Sequence, residues 1–295
     1  MNGTTTTVEN LTQALTLYLR TDEGKQSETL NDGPLRRSES VSEAHWHWLQ
    51  GWTAKDGSDQ GPSEEWAEVA ATVVESWPTK DDSSTHRQVD RSLLHTLACE
   101  VTPSTQGFRE NEDGVTSLQK LWIATNAWGA GTSDTRRPAA TAKSLTTGTL
   151  NTLKHAARLI LEGPDAFARA HKLHTQIRGF NEAYWTKFLW TLSLADNYTP
   201  QVQPLILDAR LASTTWMIRG DGDWRDDRRR GDRYRSFCST LTETANRLAK
   251  RGFDHIDSEK VEYLLFERHD DKSDFYHWLQ RHLMHSLHTS EQGQR

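Results

Sequence analysis

Ile177-Arg178-Gly179-Phe180-Asn181-Glu182-Ala183-Tyr184-Trp185-Thr186-Lys187-Phe188-Leu189-Trp190 begins polar and ends as a run of large apolar side chains. The pattern predicts one helix running in over 165–176, a tight turn, and a second helix running out over Thr186–Asp196. Gly179 and Asn181 supply residues that tolerate left-handed backbone torsions at that turn. A turn of this kind at a helix N-terminus exposes backbone N–H groups able to hold a phosphate without reading sequence, although an ordinary helical hairpin has the same outline. Lys187 falls in the first turn of the outgoing helix, among Trp185, Phe188, Leu189 and Trp190. Burial there and the positive end of the helix dipole both favour a neutral amine able to attack carbon. The alternative is a lysine reaching off the edge of a buried helix.

Further along, Gln203-Pro204-Leu205-Ile206-Leu207-Asp208 is an extended apolar segment that delivers a carboxylate to the start of another helix, which runs from Ala209. As structure, Asp208 is an ordinary N-cap, with a contribution of about 1 kcal/mol. As chemistry, a carboxylate there can stabilise positive charge developing on a sugar as its base departs. The two roles are compatible in one residue.

The rest of the chain is helical in pattern. Leu11–Leu19, Trp66/Val69/Val73/Val74/Trp77, Leu118/Leu121/Trp122/Thr125, Leu150–Glu162, Tyr234–Lys250, Ser258–Arg268 and Asp274–His288 all carry helical spacing, and Ser63 is a plausible cap for the second of these. Residues 41–101 are helical in pattern apart from the loops within them, Trp46, Trp48 and Trp52 included, and the tryptophans among them belong to a core. Segments 55–62, 79–87, 102–114 and 219–233 read as loops, and 132–148 as a polar, basic connection. No alternating strand pattern recurs, so the class is all-α or nearly so.

Charge divides the chain. Residues 1–115 hold 9 Lys+Arg and 20 Asp+Glu, a net of −11, whereas 116–295 hold 26 and 21, a net of +5. Within Arg210–Arg251 there are 11 basic and 6 acidic residues. This asymmetry points to a nucleic-acid surface in the second part and sets two expected regions: an acidic, Trp-rich helical N-terminal region at 1–115 and a core at 116–295. Apolar residues make up 35% of the chain, and no run approaches the ~20 needed to span a membrane. No secretory leader is evident, so a cytoplasmic location is expected. Cys99 and Cys238 lack metal-ligand spacing, as do His45, His47 and the histidines from His269 to His288, so no metal is expected.

Taken in order, Asn126-Ala127-Trp128-Gly129-Ala130-Gly131, Gly179-Phe180-Asn181, Thr186-Lys187-Phe188-Leu189, Pro204-Leu205-Ile206-Leu207-Asp208 and Val261–Phe266 resemble the helix-hairpin-helix DNA glycosylases, and more narrowly the bacterial proteins of 8-oxoguanine DNA glycosylase fold. The resemblance covers about 117–268. It implies that Gly179, Phe180, Asn181, Thr186 and Arg210 hold the DNA backbone, that Lys187 attacks the sugar, and that Asp208 assists departure of the base, with lyase capacity following from the lysine. It implies a pocket for a flipped base, with Asn126, Trp128, Gly129, Trp185 and Trp216 as candidates and Tyr276 or Trp278 as outsiders. No cofactor is required on this reading, and a monovalent cation at the hairpin is allowed. The partner is double-stranded DNA with a modified base, and the protein acts as a monomer. Glu182 departs from the pattern, because it sets negative charge beside the expected phosphate. The N-terminal 115 residues lie outside the resemblance and could shape a pocket for a bulky hypermodified phage base such as glucosylated hydroxymethylcytosine, in antiviral defence. The alternatives are 8-oxoguanine repair, a non-catalytic DNA-binding hairpin protein and a helical interaction protein.

Overall fold

A computed structural model describes residues 2–25, 39–41, 62–78, 87–102, 108–109, 111–130, 137–196, 198, 201–208, 211, 214, 218, 232–266 and 275–282. The helices in chain order are α1 (Asn2–Leu19), α2 (Glu64–Thr72), α3 (Arg91–Val101), α4 (Glu112–Ala130), α5 (Arg137–Lys143), α6 (Thr147–Leu161), α7 (Phe167–Lys172), α8 (Glu182–Leu192), α9 (Asp232–Ala249) and α10 (Ser258–Phe266). Residues 275–282 are also helical. The class is mainly helical, as the spacing predicts. Among the described residues one short antiparallel pair, β1 (Glu39–Val41) with β2 (Arg87–Val89), sets Glu39 opposite Val89. Three residues are too few to display an alternation in the sequence. Among the described residues no helix is long and apolar enough to cross a membrane.

The chain forms two compact units, Leu35–Ile206 and Met1–Pro34 with Leu207–Arg295. A boundary at 115/116 would cut α4, and α3 packs against α4 across it. The charge division therefore does not coincide with the packing.

In the Leu35–Ile206 unit, α4 is buried almost all round, with Leu118, Leu121, Trp122, Ile123 and Ala124 in the core. It packs against α3, α5, α6 and α8. A helix apolar on one broad face and small or polar-but-bonded elsewhere can be surrounded in this way. Trp66, Val69, Val73, Val74 and Trp77 are all buried, which bears out their reading as core. Trp66 Nε1 donates to the Thr146 carbonyl at 3.1 Å, and Trp122 Nε1 donates to Ser144 Oγ at 3.1 Å, so each indole keeps its polar end satisfied. Truncating rings buried this deeply costs about 3–5 kcal/mol each. Trp46, Trp48 and Trp52 lie outside the described residues. Ser63 does stand at the N-cap of α2, but its hydroxyl donates to Glu65 Oε2 at 2.8 Å instead of closing on the backbone. Within 132–148, expected as a connection, α5 forms just where Arg137-Pro138 offers a proline to a first helical turn.

In the other unit α1 packs along α9, and α10 against α9. Arg247 Nη1 and Arg251 Nη2 donate to the Glu9 carboxylate at 2.6 and 3.0 Å. Tyr18 meets Phe275 and Trp278 with ring centroids 5.2 and 5.6 Å apart. The two indole and phenol candidates of the last helix thus differ in setting, for Trp278 is buried in this packing and Tyr276 is half-buried.

Candidate active site

The chain enters the hairpin through α7 and a 3-10 turn, Leu173–Gln176, and leaves through α8. Gly179 takes a φ of 83°, which a side chain would strain, and nothing lies within 4 Å of the place a Cβ would occupy. Asn181 is not left-handed. At φ −97° and ψ 172° it is the N-cap of α8, and its side chain accepts from the Tyr184 N–H at 3.3 Å. Capping at Asn181 starts the helix at Glu182, four residues earlier than expected, so Lys187 falls in its second turn. The helix dipole acts chiefly on the first turn, and that part of the argument for a neutral lysine falls away.

Arg178, Gly179 and Asn181 are exposed at the turn. Phe180, Thr186 and Trp185 are not, a correction to their expected contacts. Phe180 packs on Trp122 with centroids 4.8 Å apart. Thr186 is fully buried, its hydroxyl donating to the Ala183 carbonyl at 3.2 Å. Trp185 is 0% exposed and donates to the Ala170 carbonyl at 2.9 Å, which makes it core and no platform for a base. The apolar periodicity of α8 requires these orientations. Glu182, expected to oppose a phosphate, instead lies 2.9 Å from His171 Nε2.

Lys187 is half-buried, and its Nζ donates to the Gly129 carbonyl at 2.9 Å. Tyr184 Oη donates to the same oxygen at 3.3 Å. Gly129 is the penultimate residue of α4, so this carbonyl is among those a helix end leaves without an internal partner, and it carries part of the negative end of the dipole. The ammonium also stands 5.0 Å from the Tyr184 ring centroid and 5.6 Å from that of Trp128. Gly129 lies so close to Lys187 that any side chain there would have to displace the lysine. A Cβ there would meet Lys187 Cδ at 2.9 Å, Nζ at 3.1 Å and Tyr184 Cε1 at 3.2 Å.

Two further residues shape the site without having stood out in the sequence, Tyr184 and Arg137. The Arg137 guanidinium lies 3.4 Å from the Tyr184 ring centroid and 5.0 Å from that of Phe180. Tyr184 is three positions before Lys187 on one helix and so shares its face, a signal available in advance. Arg137 had no such signal. Trp128 stacks on Trp190, 5.1 Å between centroids at 24°, and is half-buried. Asn126, at 1% exposure, sits within the packing of α4 and donates to the Trp122 carbonyl at 2.8 Å, so it does not line a surface as a pocket residue would.

Asp208 is half-buried and accepts from the Leu211 N–H at 2.9 Å, a cap to a helical segment that includes Leu211, Thr214 and Ile218. Leu205, Ile206 and Leu207 before it are buried and belong to no helix or strand. Lys187 and Asp208 belong to different compact units. Arg210 and Trp216 lie outside the described residues.

A helical frame, a glycine-turned hairpin and a lysine seated on the helix that leaves it are the features expected of a helix-hairpin-helix protein. The chain belongs to the family described as "Putative 8-oxoguanine DNA glycosylase OGG-like protein", whose model matches residues 48–266. No curated protein and no solved structure matches it. The match starts at Trp48, well before 117, so most of the Trp-rich N-terminal segment lies inside the family and not outside it.

Proposed function

We propose that this protein is a DNA N-glycosylase with AP-lyase capacity, acting as a monomer on double-stranded DNA that carries a modified base. The observation that carries the reading is Lys187 Nζ, held at 2.9 Å by the Gly129 carbonyl on the helix that follows the hairpin. In this reading the exposed turn at Gly179 and Asn181 takes the phosphate backbone through N–H groups. The open side of Gly179 also leaves room for a monovalent cation. The Lys187 amine, once it has lost a proton, attacks C1′ of the flipped nucleotide. The C1′–N bond to the base breaks and the base leaves with one amine proton; the C1′–O4′ ring bond then opens, its oxygen taking the second proton, and the resulting imine permits β-elimination. Asp208 stabilises the positive charge on the sugar as the base departs.

Oxidised guanine is the base to test first. A bulky hypermodified base drew its support from a Trp-rich region outside the family. That region lies largely inside it, and Trp66 and Trp77 are core. The test is incubation with an 8-oxoguanine duplex and, in parallel, with phage DNA carrying glucosylated hydroxymethylcytosine, scoring abasic sites for the wild type, Lys187→Ala and Asp208→Asn. Abasic sites in the oxidised duplex, lost in both variants, support repair, whereas sites only in the phage DNA transfer the activity to defence. Binding to both DNAs with no abasic site in either would leave a non-catalytic hairpin protein.

A further inference from the structure

We propose that His95, Cys99 and Asp196 form a binding site for a zinc-type divalent ion, apart from Lys187. His95 and Cys99 are four residues apart on α3 and therefore share a face. Asp196 follows the end of α8, a helix that packs against α3. His95 Nε2 lies 2.7 Å from Asp196 Oδ1 and 3.8 Å from Cys99 Sγ, and the three donor atoms all lie within 4.8 Å of one another.

The choice of ring nitrogen separates two chemistries. In a thiol–imidazole–carboxylate triad the carboxylate holds one ring nitrogen and leaves the other for the nucleophile. Here the thiol and the carboxylate face the same nitrogen, so the carboxylate cannot orient the ring toward the sulfur. Three donors converging on one point is instead the arrangement a shared cation satisfies. Zinc bond lengths of about 2.3 Å to sulfur and about 2.0–2.2 Å to nitrogen and oxygen put tetrahedral edges at about 3.5 Å for S–N and about 3.4 Å for N–O. The S–N distance needs to close by only about 0.3 Å. The N–O distance must open by about 0.7 Å, within reach of rotation in side chains 44% exposed at His95 and 75% exposed at Asp196.

The donor set selects the ion. A thiolate and an imidazole suit zinc or cobalt, whereas magnesium and calcium require oxygen donors. One thiolate and one carboxylate neutralise a divalent charge, His95 binding as the neutral ring and Cys99 releasing its proton to solvent. Partial exposure leaves the fourth position to water. The metal would fasten α3 to the segment just after α8, the helix that carries Lys187. The sequence alone conceals the set, because Asp196 lies 101 positions from His95.

The test uses the metal-free full-length chain, titrated with zinc(II) by calorimetry and with cobalt(II) by absorption. The expected result is one tightly bound ion, a thiolate-to-cobalt charge-transfer band, and a higher thermal midpoint with zinc. Cys99→Ser should abolish the band and weaken zinc by more than about 100-fold, beyond what loss of an outer-shell partner costs. Asp196→Ala, at an exposed position where folding is undisturbed, should weaken zinc at least about tenfold. The buried Cys238 cannot supply the band, and histidines elsewhere produce none. A cobalt complex without the band, or Cys99→Ser binding zinc as tightly as the wild type, overturns the proposal.

Discussion

Gly129→Ala separates the position of Lys187 from the stability of the fold. The added methyl would sit 2.9 Å from Lys187 Cδ and 3.1 Å from its Nζ, against ordinary carbon contacts of about 3.5–4.0 Å. The lysine chain must retreat by roughly 0.6 Å or more, and the 2.9 Å bond from Nζ to the Gly129 carbonyl goes with it. Exchange of glycine for alanine in a helix gains up to about 1 kcal/mol. The lost charge-assisted bond costs about 1.5–3 kcal/mol when no water replaces it, and less for a half-exposed amine. Stability should therefore change by no more than about 2 kcal/mol in either direction. The chemistry should suffer much more, because displacing a reacting group by about 1 Å costs on the order of 100-fold. Urea melts give the first quantity. Single-turnover excision, with borohydride trapping of the lysine–sugar imine, gives the second. Wild-type trapping and excision in Gly129→Ala would refute the claim that the missing side chain at 129 places the nucleophile.

Asp208→Asn should retain stability to within about 0.5 kcal/mol, since asparagine caps as well as aspartate, while excision falls; Asp208→Ala should lose about 1 kcal/mol as well. An active Asp208→Asn would reduce Asp208 to a cap, and paired melts and excision assays decide the matter. Arg137→Ala removes a guanidinium 3.4 Å from the Tyr184 ring centroid, and a thermal melt should show a loss of about 1–2 kcal/mol; an unchanged melt would mean the stacking is incidental. Hydrogen bonds from the Ser63 and Thr147 hydroxyls hold the Glu65 carboxyl below its ordinary value. Its stabilisation is thus present above the ordinary carboxylate range and lost as pH falls through the lowered value. Glu65→Gln should lose less stability on acidification than the wild type, and equal acid-side losses in thermal midpoint would contradict this.

Much of this was legible in the sequence because it depended on local chemistry. Helical spacing disclosed the core tryptophans, Gly179 disclosed its left-handed turn, and the Pro204–Asp208 segment disclosed both its burial and the cap. What the sequence misjudged depended on partners far along the chain. Thr186 sits beside Lys187 but faces the core, because the buried face of α8 is set by packing on α4, α6 and α7. Asn181 could serve either as a left-handed residue or as a cap, and the choice shifted the helix by a turn. Arg137 and Tyr184 meet across 47 positions, from 137 to 184, which no local pattern records. The acidic N-terminal stretch misled for a different reason. Net charge describes the surface, whereas packing divides the stretch, residues 1–34 going with Leu207–Arg295 and the rest with the Leu35–Ile206 unit.

The contact with the Gly129 carbonyl that places Lys187 in the proposed function also restrains it. A backbone carbonyl accepts from an amine and an ammonium alike, so the contact occupies Nζ without supplying a lone pair with which to attack. The free protein therefore holds the lysine chain in line, and two things must change before it can act as a nucleophile: the amine must present a lone pair, and Nζ alone must turn from the Gly129 oxygen toward a sugar while the rest of the chain stays where the bare glycine admits it. A flipped nucleotide is suited to cause both, since it excludes water from the amine and brings a competing acceptor close to it. Tyr184 remains behind as the second donor to the Gly129 carbonyl, so the helix end stays capped when the lysine departs. On this argument Tyr184→Phe, which strips the carbonyl of its reserve partner, should hold the lysine back and slow borohydride trapping by a few-fold while leaving DNA affinity unchanged.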